Sequence, residues 1–288
     1  AAVVAVGLAD LFARFPLRVG LGLGGGAIAL ASQDTGSGAA ETREESVVQA
    51  LVIAVLAGVP FAALGMLAGP VLVGLFPASD DAVRLGGTYL GIVLATASAR
   101  HVALVGSRVL QGIGDTTTPM YVNVVVNAIN AALSAGLGFG LLGLPRLGVV
   151  GVATATATAN VLSAGLLVAA IYRPSSPLAY VRPTDRTVGI QLVRVGLPRT
   201  AEGVVSELAQ FPFNALLLSL GPAAGVTAAG AAPGDVVNAG YQVGRRVYQQ
   251  VTGPLSRGYN VAASVLVGQA LGRGDPGTAR YEGWATAG

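Results

Sequence analysis

The sequence has no cysteine, no lysine and a single histidine, and each absence removes a class of chemistry. Without cysteine there are no disulfides and no thiolate metal sites. His101 alone cannot build a multi-histidine metal centre. Charge is also scarce: 11% of the 288 residues are Asp, Glu or Arg, against about 25% in a soluble globular domain. Apolar residues make up 53%, more than one water-facing core of this size can hide, whereas a bilayer removes the problem. The net charge of +3 is small, sits mainly on one side of the expected membrane and gives no sign of nucleic-acid binding. No His-Glu-x-x-His, Gly-x-Ser-x-Gly, P-loop or nucleophilic cysteine is present, so no enzyme, catalytic residue, metal site or cofactor is expected. The chain opens at Ala1 within an apolar run, with no initiator Met and no charged-then-apolar leader. It reads as a piece of a longer membrane protein.

What is abundant is long apolar runs. A helix needs about 20 apolar residues to cross the hydrocarbon core, and seven stretches qualify: Val3–Ala31, Val47–Phe76, Val83–Leu110, Met120–Leu141, Val149–Tyr172, Val188–Leu220 and Val236–Ala270. The class is therefore an all-α integral membrane bundle. Its separators are turn-like, such as Gln33–Gly38 and Gly272–Gly277. The longest polar connection, 173–187, carries three prolines and marks a boundary between a first lobe, 1–172, and the start of a second, 188–288. If that connection is cytoplasmic, its side collects Arg43, Arg108, Arg173, Arg182, Arg186, Arg194, Arg273 and Arg280, while Arg84 and Arg146 fall opposite. The positive-inside rule then places residue 1 outside and residue 288 inside. The many glycines within the spans read as close helix packing.

The first and last spans resemble each other. Leu30-Ala31-Ser32-Gln33-Asp34-Thr35-Gly36-Ser37-Gly38 aligns without a gap on Leu266-Val267-Gly268-Gln269-Ala270-Leu271-Gly272-Arg273-Gly274, with Leu, Gln and two glycines in common. Both copies run in the same direction, as parallel transporter repeats do.

Polar groups inside spans are costly enough to suggest function. Glu207, Gln210 and Asn214 share one helical face, and Glu202 lies about 140° round from Glu207 at ~100° per residue. A partly desolvated carboxylate here can exchange a proton near neutral pH or bind Na⁺; a structural ion pair with an arginine is the alternative. In the last span Gln242, Arg246, Gln250, Arg257, Asn260 and Ser264 form one stripe, expected to face the bundle interior or a wet cavity. Arginines in that stripe that hold the carboxylates of the preceding span would look the same. Asp10 and Arg14 are spaced to pair, Asp115 to cap a turn, and His101 to pack within the bundle by hydrogen bonding, with proton exchange as the alternative.

Arg108-Val109-Leu110-Gln111-Gly112-Ile113-Gly114-Asp115-Thr116-Thr117-Thr118-Pro119-Met120 resembles the loop between the fourth and fifth helices of multidrug and toxic compound extrusion (MATE) transporters, which typically reads Arg-Gly-x-Gly-Asp-Thr-x-Thr-Pro-Met. Asn123, Asn127 and Asn130 follow, as asparagines often do in the family's fifth helix. Leu147–Thr156 is similar to the start of its sixth helix, Gly196-Leu197-Pro198 to its seventh, and Val267–Asp275 to the end of its eighth. The order and spacing hold across nearly the whole chain.

The resemblance implies helices two to eight of twelve, in a fold of two pseudo-symmetric six-helix lobes. It implies alternating access in the cytoplasmic membrane, exporting organic cations or drugs against inward Na⁺ or H⁺. The implied partners are a small organic substrate and the lipid bilayer, with no obligatory protein partner. It points to Glu207 and Glu202 as cation-coupling residues. Gln210, Asn214, Arg246, Gln250, Arg257, Asn260, Asn127 and Asn130 would then line the cavity. Some family members carry an acid four residues after a fifth-helix asparagine; counted from Asn130 that position is Ser134, which puts coupling through the first lobe in doubt. The alternative within the same superfamily is a lipid-linked oligosaccharide flippase, whose cavity would be strongly cationic.

Overall fold

The computed structural model describes residues 2–75, 80–141, 143–223 and 233–287. Their secondary structure is helical throughout: α1 (Ala2–Ser37), α2 (Ala40–Val73), α3 (Asp80–Ala95), α4 (Ala97–Gly112), α5 (Thr117–Phe139), α6 (Val149–Ile171), α7 (Arg186–Ala223), α8 (Pro233–Gly272) and α9 (Pro276–Ala287). Among the described residues, α1, α2, α5 and α6 are each long and apolar enough to cross a membrane, and α3 with α4 make a fifth such span bent by 48°. α7 and α8 are longer still, at 38 and 40 residues. The chain is a multi-pass membrane protein.

The third expected span, Val83–Leu110, is thus two helices rather than one. Its break is at Thr96, whose hydroxyl donates to the Val93 carbonyl at 2.9 Å. The Thr96 N–H bonds the same carbonyl at 3.2 Å, so a side chain and a tightened turn replace the regular ladder. Asn160 of α6 donates to the Thr96 hydroxyl at 3.0 Å and pins the bend from outside.

Helices approach closely where a side chain is missing. A methyl group on Gly69 would stand 2.7 Å from the Gly87 carbonyl oxygen, and one on Gly58 would overlap the Ser98 backbone. α2 therefore packs backbone to backbone on both α3 and α4, the interface expected when no hydrophobic force acts between spans in lipid. The other face of α2 carries Leu56, Met66, Leu67 and Val71, all exposed, as a lipid-facing surface does. The buried core joins Leu23 and Leu30 of α1, Val47 of α2, Val105, Val109 and Leu110 of α4, and Leu167 and Ile171 of α6. Leu178 of the long connection and Leu192 of α7 close it.

The repeat found in the sequence is also a geometric one. Gly38 and Gly274 share φ 73°. Each ends its helix with the same pair of bonds, Gly38 N–H to Thr35 and Ala39 N–H to Asp34 in the first, Gly274 N–H to Leu271 and Asp275 N–H to Ala270 in the second. The two helices also meet reciprocally: a methyl on Gly36 would overlap the Gln269 carbonyl, and one on Gly272 the Gln33 carbonyl. A two-fold relation between α1 and α8 requires this exchange of partners.

Candidate functional site

The site begins on α1, where Asp10, Arg14, Arg18, Gly22 and Gly26 recur every four residues and so form one stripe. α7 packs along it. A methyl on Gly26 would overlap the Leu192 carbonyl, and one on Gly22 would overlap the Thr200 hydroxyl and stand 2.8 Å from the Gly196 carbonyl. The small residues draw α1 and α7 together, and the arginines then reach across. The Arg18 side chain runs over Gly203 and donates from Nε to Glu207 Oε1 at 2.9 Å. Its Nη2 reaches the same oxygen at 2.5 Å, and Arg14 stands 3.8 Å from the other oxygen. Arg14 also bonds Asp10 at 3.1 Å, as their spacing anticipates. The Glu207 side chain is 8% exposed and Arg18 32%, so the carboxylate is buried and its partner half-buried.

Glu202 is differently placed. Its side chain is 74% exposed and 3.9 Å from Arg199, which agrees with the two acids facing different neighbours. It lines a cavity of about 430 Å³ bounded by Arg18 and Gly25 of α1, Arg108 of α4, Arg199 of α7, and Arg257, Asn260 and Ser264 of α8. A second cavity of about 810 Å³ shares Leu21, Arg108 and Arg257 with it and extends towards Asn123 of α5.

Of the described residues of the α8 stripe, Arg257, Asn260 and Ser264 face one cavity. Gln250 is exposed and lines neither of these two. Asn127 is exposed and Asn130 half-buried on α5, the latter accepting from Ser134 at 3.4 Å; they too are outside both cavities. Gln210, Asn214, Gln242 and Arg246 fall outside the described residues, their side chains being undescribed within α7 and α8.

Among the described residues Glu207 is held by Arg14 and Arg18 of α1, while Arg257 of α8 lines the cavity; the side chain of Arg246, the other arginine of the stripe, lies outside the described residues. Arg18, Arg108 and Arg199 were not singled out as cavity residues. The cost of a mid-span arginine flags Arg18 and Arg108, but only the fold shows that they converge with Arg199. His101 is fully buried with Nε2 2.7 Å from the Pro16 carbonyl oxygen and its ring edge-on to Phe61, a packing role. Asp115 caps α5, accepting the Thr118 N–H at 2.9 Å and the Arg173 guanidinium at 3.2 Å.

A membrane helix bundle with a parallel repeat, closely crossed helices and an internal cavity lined by charged side chains is an arrangement found in many transporter folds. Residues 1–135 match the protein family described as MatE. A probable multidrug resistance protein NorM of Bradyrhizobium diazoefficiens is 30% identical over 296 residues, covering 99% of this chain and 59% of that one. A protein of the same description from Thermotoga maritima is 30% identical over 226 residues, covering 77% and 46%. The chain belongs to the MATE family. It spans roughly half the length of the curated relatives it matches.

Solved structures agree on the fold. A MOP superfamily transporter from Pyrococcus furiosus superposes with a TM-score of 0.84 at 22% identity, over 99% of this chain and 61% of that one. A multidrug resistance MATE family transporter in an outward-facing conformation gives 0.82 at 23% identity, over 98% and 60%.

Proposed function

We propose that this chain forms the central part of an exporter of small amphipathic compounds in the cytoplasmic membrane, working by alternating access between lobes 1–172 and 188–288. The observation that carries the reading is the cavity: α1 and α8 touch backbone to backbone at Gly36 and Gly272 and, further along, enclose polar space lined by Arg18, Glu202, Arg257 and Asn260. A bundle that is sealed at one end of such a space and parts there in its other state moves a solute across. The arginine-rich end, with the 173–187 connection, faces the cytoplasm. The names of the NorM relatives support drug-like substrates.

Coupling falls to Glu207. Its carboxylate ties α7 to α1 through Arg18, so a proton or Na⁺ arriving there competes with the guanidinium and loosens the two helices from each other. Glu202, exposed at the cavity wall, is the second acid the incoming cation or the substrate meets.

The test is dye accumulation in a pump-deficient bacterium expressing the gene, with pH and Na⁺ varied separately and both cationic and anionic dyes offered. Lower accumulation than empty vector, lost in Glu207→Gln at equal expression, is the expected result. Accumulation equal to empty vector for every dye under every gradient contradicts transport.

A further inference from the structure

The charge of the cavity says more about what it binds. Among the described residues Arg18, Arg108, Arg199 and Arg257 line it, against one carboxylate, Glu202. Glu207 balances Arg18, and Glu202 stands 3.9 Å from Arg199. Among the described residues no carboxylate is within ion-pair distance of Arg108 or Arg257; Arg108 donates to the Gln111 side-chain oxygen at 3.2 Å. Cations gathered inside a membrane bundle are expensive unless negative charge or water offsets them.

A second observation gives the rest of the ligand's shape. The arginine-lined space shares Arg108 and Arg257 with the larger cavity, whose walls beyond them carry Leu17, Leu104, Val261, Val265 and Leu266, with Ser107, Gln111, Thr116 and Asn123 as its polar part. Two guanidiniums at the junction of a polar and an apolar space match a molecule with an acidic head and an apolar body. Each guanidinium offers a planar fork of donors suited to carboxylate, sulfonate or phosphate oxygens.

We propose that the two cavities together bind an amphipathic organic anion, its head on Arg108 and Arg257 and its body against the leucines and valines beyond. The inference rests on the transport reading and specifies its substrate class. An organic cation, the class implied by the family resemblance, would meet a surplus of like charge here.

Binding to the purified, full-length protein in detergent tests it, read by fluorescence with dansyl-undecanoate as anionic probe and ethidium as cationic probe. Dansyl-undecanoate should bind the wild type, and Arg108→Gln and Arg257→Gln should each weaken it on the order of tenfold, the loss expected for one charge-assisted contact. Arg108→Lys, which keeps the charge, should retain most of the binding, and thermal unfolding in the same detergent shows that each variant is folded. Displacement by octanoate marks a soluble anion as the source; displacement by phosphatidylglycerol alone marks a lipid head group. Equal dansyl-undecanoate affinity in the wild type and both Gln variants overturns the proposal, as does ethidium binding that is tighter than the anion's. If cells export ethidium while the protein ignores the anion, the substrate class is wrong and transport stands. If arginine-dependent anion binding is present but no dye is exported, transport is wrong and the site stands.

Discussion

Arg18 and Glu207 lie 189 residues apart in the chain and are joined by an Nε donor at 2.9 Å. This pair fixes the α1–α7 contact at the edge of the cavity. Breaking one side of a buried pair strands the other charge, whereas removing both avoids that penalty. Glu207→Gln and Arg18→Gln should therefore each lower the unfolding temperature in detergent, and the double variant should lose less than the two single losses together. With Arg18 partly solvated, a coupling energy of about 1–2 kcal/mol is expected from a double-mutant cycle.

Gly36→Ala and Gly272→Ala should each destabilise the bundle by about 1–3 kcal/mol, the cost of forcing packed backbones apart. Gly165→Ala, where a methyl group meets open space, should be close to neutral. Thermal unfolding of the three variants side by side checks the helix crossing against a general effect of alanine.

The bend between α3 and α4 depends on Thr96 and its partner Asn160. Asn160→Leu leaves the Thr96 hydroxyl without that donor and should cost about 1 kcal/mol. Thr96→Val removes both bonds of the hydroxyl, so Asn160→Leu in that background should have a smaller effect. Unfolding of the single and double variants measures the difference.

Asp275 caps α9 by accepting the Thr278 N–H at 2.9 Å. The Thr278 hydroxyl and backbone N–H hold its carboxyl below the ordinary 3.8. A depressed carboxyl contributes stability that is complete above its unfolded pKa and is lost as pH falls through the folded one. Hydrogen-exchange protection at the start of α9 should thus be level above about pH 5 and decline below pH 4 towards acid. In Asp275→Asn the decline should be absent.

Much of the fold is legible in the sequence because a membrane span is a run of composition. Six of the seven expected stretches each coincide with one helix, of which α1, α7 and α8 extend past the expected run at both ends, and the repeat at Gln33/Gln269 survives as a backbone contact. The bend at Thr96 is not legible, since a hydroxyl closing on its own helix leaves no mark in hydropathy. Single-residue chemistry was read partly: Glu207 stands out as an acid in a span, and Arg257 and Asn260 as members of a stripe. Their partners depend on which helices are neighbours. Arg18 faces Glu207 only because Gly22 and Gly26 let α7 lie along α1, and Arg108 joins the cavity only through the packing of α4 on α1.

Alternating access requires the α1–α8 crossing to open, and the absence of cysteine from these 288 residues lets a crosslink be placed there. Gly268 sits against Ser32, with a methyl group on the former 2.8 Å from the Ser32 Cβ, so Ser32→Cys with Gly268→Cys brings two thiols together at the crossing and reaches the roughly 3.5–4.5 Å Cβ separation of a disulfide once the helices part by about 1 Å. The measurement is gradient-driven dye export by this double variant before oxidation, after oxidation and after reduction. The account predicts export that falls at least about tenfold on crosslinking, the loss expected when a required conformation is withheld, and returns on reduction. Undiminished export by fully crosslinked protein would contradict it.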